Sequence, residues 1–106
     1  TKTWAEKWDV DTDNIVDSIN GLPLEAFAFS KDKPVNPYGD AKHQGPMWVR
    51  PKSLIHDRIN VYNQVVGHTR QEEITVAAPG IILADSLWNG NYLTLDNGLL
   101  TTHSVD

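Results

Sequence analysis

The first apolar residues of the chain recur at helical spacing. Trp4 and Trp8 are four positions apart, which places both indoles on one face of a helix. Thr3 and Glu6 match the Thr-x-x-Glu capping box. In this motif the Thr3 hydroxyl accepts from the Glu6 amide, and the Glu6 carboxylate accepts from the Thr3 amide. We therefore expect a short helix over residues 4–8, with both tryptophans turned toward the core.

A second stretch at helical spacing covers residues 14–20, where the apolar letters are IV and I. Gly21 and Pro23 follow, and they are the usual stop signal, because glycine takes the left-handed conformation after the last turn and proline cannot continue a helix. The next residues, LEAFAF, alternate between apolar and other positions. This alternation predicts a strand over 24–29.

Residues 54–66 carry a third helical pattern, with apolar positions at intervals of four, three and four. The pattern predicts an amphipathic helix over 54–66, capped by Ser53 and stopped by Gly67. The same segment contains INVYNQVV, whose β-branched residues favour a strand. Helix and strand therefore stay alternatives for this segment.

From residue 74 onward the pattern changes to alternation, the period of a strand. Turn signals stand at 79–80 (Pro-Gly), 89–90 (Asn-Gly) and 97–98 (Asn-Gly), and Asn-Gly is favoured where both turn residues need positive φ. A hairpin centred on 89–90 places Trp88 on its inward face. The predicted fold class is α+β, with a C-terminal antiparallel β-meander (about 74–105) packed against short N-terminal helices and one amphipathic helix (about 54–66).

The segment 31–52, KDKPVNPYGDAKHQGPMWVRPK, has no periodicity, because four of the six prolines and two glycines interrupt it. A chain of 106 residues is of ordinary size for one domain, so we predict a single compact domain over 1–106. An irregular stretch of this length inside a compact domain is commonly functional. The proline-rich loop 31–52 is therefore the first place to look for a site.

Composition limits the classes of function. Cysteine is absent, which excludes disulfides, thiolate metal sites and cysteine nucleophiles. The apolar runs are only a few residues long, and they predict neither a membrane span nor a signal peptide. The net charge of −5 disfavours nucleic acid as a partner, since phosphate binding needs a basic domain. Localisation stays open, with the cytoplasm or a virus particle as the default.

The charge is unevenly distributed along the chain. Residues 1–30 carry six acids and two lysines (−4), and residues 59–106 carry five acids and one arginine (−4). Between them, residues 31–58 carry six bases and three acids (+3). The irregular loop is thus the basic part of an acidic chain.

The stretch DVDTDNIVDSIN suggests a calcium-binding loop. Four ligand positions of such a loop are filled by acids: Asp9, Asp11, Asp13 and Asp17. The twelfth position, which needs a bidentate Glu, is Asn20, and Gly21 ends the helix that should continue. We therefore prefer a charged helix start, with Thr12 or Asp13 as its cap, over a metal site.

Other catalytic and cofactor patterns lack support. The four histidines do not have zinc-site spacing, and neither a serine elbow nor a phosphate-binding loop occurs. Glu72 and Glu73 are adjacent, so on a strand they point to opposite sides. We accordingly predict no catalytic residue, no metal and no cofactor.

The composition of the loop 31–52 is typical of an interaction surface, where aromatic and arginine side chains stand on a scaffold. The partner-binding candidates are Tyr38, Lys42, His43, Trp48, Arg50 and Lys52. Our leading hypothesis is a non-catalytic binding or assembly module that docks a protein partner or a second copy of itself, as virion components do.

Three alternatives remain. In the first, the chain is a small enzyme or enzyme subunit, the loop is an active-site lid, and His43 works with Asp40 or Tyr38 as an acid–base pair. In the second, it is a small inhibitor or immunity protein. In the third, exposed Tyr38, Trp48 and Tyr92 form a carbohydrate-binding face.

Overall fold

The computed structural model describes residues 1–30 and 38–105, which fall into two compact units, residues 1–59 and residues 60–106. The first unit contains helices and the second contains strands, so the α+β class is confirmed. Lys31, Lys33, Pro34 and Pro37 of the predicted loop lie outside the described residues.

The described residues of the first unit, 1–30 and 38–59, form three α-helices and one 3-10 helix. Their bounds are α1 Lys2–Lys7, α2 Ile15–Asn20, the 3-10 helix Leu24–Phe27, and α3 Pro51–His56. One core cluster consists of Trp4, Ala5 and Ala26, with partly buried side chains packed around it: Trp8, Val10, Ile19, Leu22, Phe27 and Ile59.

Trp4 is the side chain around which this core is organised. Its indole Nε1 donates to the carbonyl of Ala26 at 2.8 Å, and its ring lies 5.9 Å from the ring of Phe27. A buried indole needs a partner for its N–H, and the 3-10 helix supplies one. The prediction that Trp4 faces inward is confirmed, and Trp8 packs at the edge of the same core.

The predicted capping box of α1 is wrong. The N-cap is Thr1, whose hydroxyl accepts from the amide of Trp4, while the amide of Thr3 donates to the Asp57 carboxylate at 2.9 Å. Glu6 lies 3.9 Å from Lys2 instead of reaching back to Thr3. A carboxylate distant in sequence thus satisfies an amide that the local pattern assigned to a neighbour.

The ends of α2 also differ from the prediction. Its N-cap is Asn14, without a side-chain capping bond, so neither Thr12 nor Asp13 caps it. Gly21 has φ −84°, a right-handed conformation, and its amide donates to the carbonyl of Asp17. The helix therefore ends without the left-handed glycine that the sequence suggested.

The predicted strand over 24–29 is wrong, because this segment begins with the 3-10 helix. The amide of Ala26 donates to the carbonyl of Pro23, which closes the first turn. Ala26 is buried, and its carbonyl accepts from the indole of Trp4. The turn buries the small side chain of Ala26 in the same core as Trp4. The alternation of apolar residues along the sequence did not predict this burial.

In the second unit, residues 60–105 form five strands in two sheets. The strands are β1 Gln64–Val66, β2 Thr75–Ala78, β3 Ile81–Leu83, β4 Asn91–Asp96 and β5 Leu99–Ser104, and a 3-10 helix spans Leu87–Asn89. One sheet has the order β1-β3-β2, with β1 parallel and β2 antiparallel to β3. The other is the antiparallel hairpin of β4 and β5.

Segment 54–66 divides between the two alternatives. The helix is α3, which begins at Pro51 and ends at His56, so the predicted helix is wrong beyond that residue. Residues 64–66 form β1, as the β-branched content favoured. Parallel pairing with β3 stabilises this short strand, and that pairing lies outside the local pattern.

Two of the three predicted turns join paired strands. Pro79-Gly80 connects β2 to β3, and Asn97-Gly98, with φ 49° and 81°, connects β4 to β5. The predicted hairpin at 89–90 is wrong, because Asn89 ends a 3-10 helix and only Gly90 is left-handed, at φ 80°. Trp88 is accordingly exposed instead of facing inward.

Candidate interaction surface

Gln44 fixes the described part of the loop, residues 38–52, to the segment before it. Its side chain is fully buried. The amide of Ser30 donates to Gln44 Oε1 at 2.9 Å, and Gln44 Nε2 donates to the carbonyl of Ser30 at 3.1 Å. The Gln44 amide group therefore pairs with the backbone of Ser30 as a neighbouring strand would.

Asp40 and Arg50 hold the two sides of the loop together. The Asp40 carboxylate accepts from the amide of Ser53 at 3.1 Å and from the Ser53 hydroxyl. Ser53 lies in the first turn of α3, so Asp40 satisfies one of the amides that a helix start leaves unpaired. Arg50 Nε donates to the carbonyl of Tyr38 at 2.9 Å.

A glycine and two aromatic rings complete the frame. Gly39 has φ +73°, and a Cβ at this position would lie 2.3 Å from Phe29 Cε2, so only glycine fits. Phe29 meets Trp48 edge-on, with ring centroids 5.4 Å apart and planes at 81°. Edge-on contact is a favourable aromatic geometry.

This frame leaves large side chains in solvent. Tyr38 is 73% exposed and Met47 is 63% exposed, and Phe29 and Trp48 are each exposed by more than a third. We call this group, with the neighbouring guanidinium, the aromatic surface: Phe29, Tyr38, Met47, Trp48 and Arg50. Of the predicted partner-binding residues, Arg50 is bonded to Tyr38 and Trp48 packs against Phe29. Phe29 and Met47 were not among the predicted partner-binding residues.

Lys42 and His43 lie beside a separate hollow of about 260 Å³. Its lining consists of Asp40, Ala41, Lys42, His43 and Ser53. Lys42 is exposed, and so is Lys52, which precedes Ser53 in α3. Lys42 is therefore the lysine of the lining, while the carboxylate of the lining, Asp40, is bonded to α3.

The titration of the Asp57 carboxylate is shifted. Burial raises the pKa of Asp57, but hydrogen bonds from the hydroxyl and amide of Thr3, together with the nearby Lys42 ammonium, outweigh burial and hold the pKa below its usual value. The amide of Lys2 donates to the Asp57 carbonyl at 2.7 Å, so this residue joins the start of α1 to the end of α3.

The N-terminal aspartates form a local turn. The amide of Asp13 donates to Asp11 Oδ1 at 3.0 Å, and the amide of Asp11 donates to the Ser18 hydroxyl at 2.9 Å. Within residues 1–30 and 38–105, His, Asp and Glu side chains form no group of three that could hold a metal ion. The interpretation of Asp9, Asp11, Asp13 and Asp17 as a charged helix start needs no cation.

A second surface lies on the three-stranded sheet of the other unit. Val65 on β1, Ile82 on β3 and Val76 on β2 are aligned in register across the sheet. With Leu100 of β5 they line a hollow of about 200 Å³, whose other residues are Asn63, Gln64 and Gly80. We call Val65, Val76, Ile82 and Leu100 the apolar sheet face. Sequence reasoning missed it, because residues 54–66 were left open between helix and strand and the pattern did not show which strands pair.

The remaining aromatic residues make contacts of their own. Tyr92 stacks on His103, with ring centroids 4.8 Å apart and planes at 18°. Trp88 Nε1 donates to the carbonyl of Gln71 at 3.0 Å, and the Arg70 guanidinium lies 5.8 Å from the Trp88 ring. One face of the Tyr92 ring is thus covered by the His103 imidazole, which reduces the ring area on which a sugar could stack.

No protein-family model, curated protein or solved structure matches this chain. Among the residues that the structure describes, none of the helices is long and apolar enough to cross a membrane.

Proposed function

We propose that the chain is a non-catalytic binding or assembly module, which docks a protein partner through the aromatic surface. The single observation that carries the proposal is the contrast between a loop fixed by the fully buried Gln44 and the exposed side chains that it presents. Binding through a preordered loop avoids the entropy cost of ordering it on association.

The side chains of the aromatic surface are the kinds that dominate binding energy at protein interfaces. Trp, Tyr and Arg are enriched among such hot-spot residues, and methionine adapts to irregular partner surfaces. Tyr38, Met47 and Trp48 expose apolar area to water, and Arg50 Nε donates to the carbonyl of Tyr38. An apolar cluster with a polar margin is typical of an interaction site.

Charge indicates the kind of partner. The described part of the loop carries Lys42, Arg50 and Lys52 against a single acid, Asp40. Complementary charge steers a partner and sets its orientation more than it adds affinity. The surface is therefore suited to a protein patch that is acidic at its margin and apolar at its centre.

The alternative of a small enzyme has less support. An acid–base pair of His43 and Asp40 requires an Asp40 carboxylate that is available to the imidazole. That carboxylate accepts from both the amide and the hydroxyl of Ser53, as a helix cap does. The geometry thus supports a structural role for Asp40.

Three alanine variants test the proposal: Tyr38→Ala, Trp48→Ala and Arg50→Ala. Oligomer mass by light scattering and recovery of a partner in pull-down are measured beside circular dichroism and thermal melting. A hot-spot truncation costs about 1–2 kcal/mol or more, so we expect binding to weaken about fivefold to thirtyfold.

Val16→Ala is the matched control, because Val16 is an apolar residue of α2 in the same unit and is 66% exposed. It should leave association unchanged. If all three alanine variants keep the fold and associate as the unmodified protein does, the aromatic surface is not the docking site.

A further inference from the structure

Resting on the function proposed above, we infer that the partner is a second copy of this chain. The aromatic surface of one copy packs on the apolar sheet face of another copy, and the Met47 side chain inserts into the hollow of that face. Each copy then presents one projecting group and one receiving hollow.

The receiving surface is unusual for a small sheet. The solvent-facing side of a sheet normally carries polar residues, yet here three aligned positions are Val65, Ile82 and Val76. Val76 is 69% exposed. Leu95, which pairs with Leu100 across the hairpin, is also exposed, so the apolar area extends beyond the hollow. Contiguous exposed apolar area of this kind marks an interaction site.

Size favours a side chain over a small molecule as the occupant. The hollow of about 200 Å³ is smaller than ordinary small-molecule sites, which hold about 300–1,000 Å³. Four of its seven lining residues are branched aliphatic, and the others carry no charge. Met47 suits such a hollow, because an unbranched thioether fills irregular apolar space and this one already projects into solvent.

Charge complementarity identifies the owner of the side chain as another copy. The described residues of the second unit carry Glu72, Glu73, Asp85 and Asp96 against Arg70, a net −3. The loop residues 38–52 carry Lys42, Arg50 and Lys52 against Asp40, a net +2. A net basic loop and a net acidic unit, each with exposed apolar side chains, are therefore present in one sequence, and opposite net charges favour association of two copies.

The contact joins two different surfaces, so it is heterologous. A heterologous contact continues from copy to copy and produces a ring where the rotation closes or an open filament where it does not. We therefore expect an assembly whose mass grows with concentration, in place of a simple symmetric dimer. Higher salt should weaken it, since screening reduces attraction between exposed charges.

Two point variants, each on one surface, provide the test. Met47→Asp places a charge on the projecting side chain, and Val76→Lys places a cation in the receiving hollow. Each variant alone should stay monomeric. Mixed in equal amounts, they should form a 1:1 dimer and stop there, because Val76→Lys retains an intact loop and Met47→Asp retains an intact hollow. Analytical ultracentrifugation of the full chain measures all three samples.

Two control variants introduce the same residue types, lysine and aspartate, at exposed positions outside the two surfaces. Val16→Lys introduces the same residue at a valine that is 66% exposed on α2, and Leu24→Asp introduces an acid at an exposed leucine of the 3-10 helix Leu24–Phe27. Both controls should assemble as the unmodified protein does. Circular dichroism and melting confirm that all four variants retain the fold.

The possible failures are distinguishable. An unmodified protein that stays monomeric up to about 1 mM overturns the second-copy inference, as does a mixture that forms no dimer. The proposed function survives either result if a partner other than this chain binds the unmodified protein and binds the alanine variants of Tyr38, Trp48 and Arg50 more weakly. If the unmodified protein assembles and Met47→Asp and the three alanine variants assemble equally well, both proposals fail.

Discussion

Gln44→Met is the substitution that most directly tests how the aromatic surface is held. Methionine has nearly the volume of glutamine but offers no amide, so the change removes the two bonds to Ser30 without opening a large cavity. The Ser30 amide and carbonyl, now paired at 2.9 and 3.1 Å, both lose these partners. Gln44 itself is fully buried, so water cannot readily replace its amide group.

The expected cost follows from these two groups. A buried donor or acceptor left unsatisfied costs about 1–3 kcal/mol, and Ser30 is only partly buried, so the lower part of that range applies to each group. We therefore expect the free energy of unfolding to fall by about 2–3 kcal/mol. For a chain of this size a loss of 1 kcal/mol lowers the melting temperature by about 4–8 °C, so a fall of about 10 °C or more should be seen.

Urea unfolding followed by tryptophan fluorescence, with thermal melting alongside, measures the change. Gln71→Met is the matched control, since Gln71 is partly buried and its side chain makes a single long bond, 3.3 Å from Nε2 to the carbonyl of Thr69. It should cost less than about 1 kcal/mol. A loss below about 0.5 kcal/mol for Gln44→Met would refute the claim that Gln44 anchors the loop.

Two further predictions concern the same unit. Gly39→Ala should destabilise it by about 1–3 kcal/mol in urea unfolding and alter the near-ultraviolet signal of Trp48, because the new Cβ meets Phe29 at 2.3 Å with φ at +73°. Gly67→Ala, whose Cβ would meet nothing within 4 Å, should not, and equal effects would contradict the reasoning. Asp57→Asn should lower the free energy of unfolding near neutral pH, and its difference from the unmodified protein should shrink below about pH 3.9, the ordinary value for Asp. A depressed pKa stabilises the fold above that value and ceases to do so as pH falls through the folded value. Asp96→Asn is the control. If the difference in free energy of unfolding between Asp57→Asn and the unmodified protein does not change with pH, the stabilising role of the Asp57 carboxylate is excluded.

Sequence patterns predicted the elements whose conformation is decided by neighbouring residues. The turn at 97–98 is one example, since Asn97 and Gly98 both adopt positive φ and few other pairs do so readily. The inward position of Trp4 is another example, because a large apolar side chain on a short helix is stabilised by burial whichever elements form the rest of the core. The loop 31–52 was singled out for its aromatic and basic side chains, and of these Tyr38, Trp48, Lys42 and Lys52 are exposed in the part that the structure describes, residues 38–52.

The prediction was wrong where a distant residue competed with a local one. The Asp57 carboxylate takes the amide of Thr3, so the capping box of α1 does not form. The indole of Trp4 takes the carbonyl of Ala26, where a strand was expected. In each case the local signal was present, but a stronger acceptor or a buried donor lay many residues away in the sequence.

The sequence alone determined the α+β class, the absence of thiol chemistry, the basic segment in an acidic chain and the hairpin at 97–98, because composition and short-range periodicity are properties of neighbouring residues. Tertiary structure decided that Gln44 is buried against Ser30, that Asp40 caps α3, and that three aliphatic side chains from separate strands share one sheet face. These outcomes depend on which residues meet after folding. Both surfaces on which function is proposed belong to this second group.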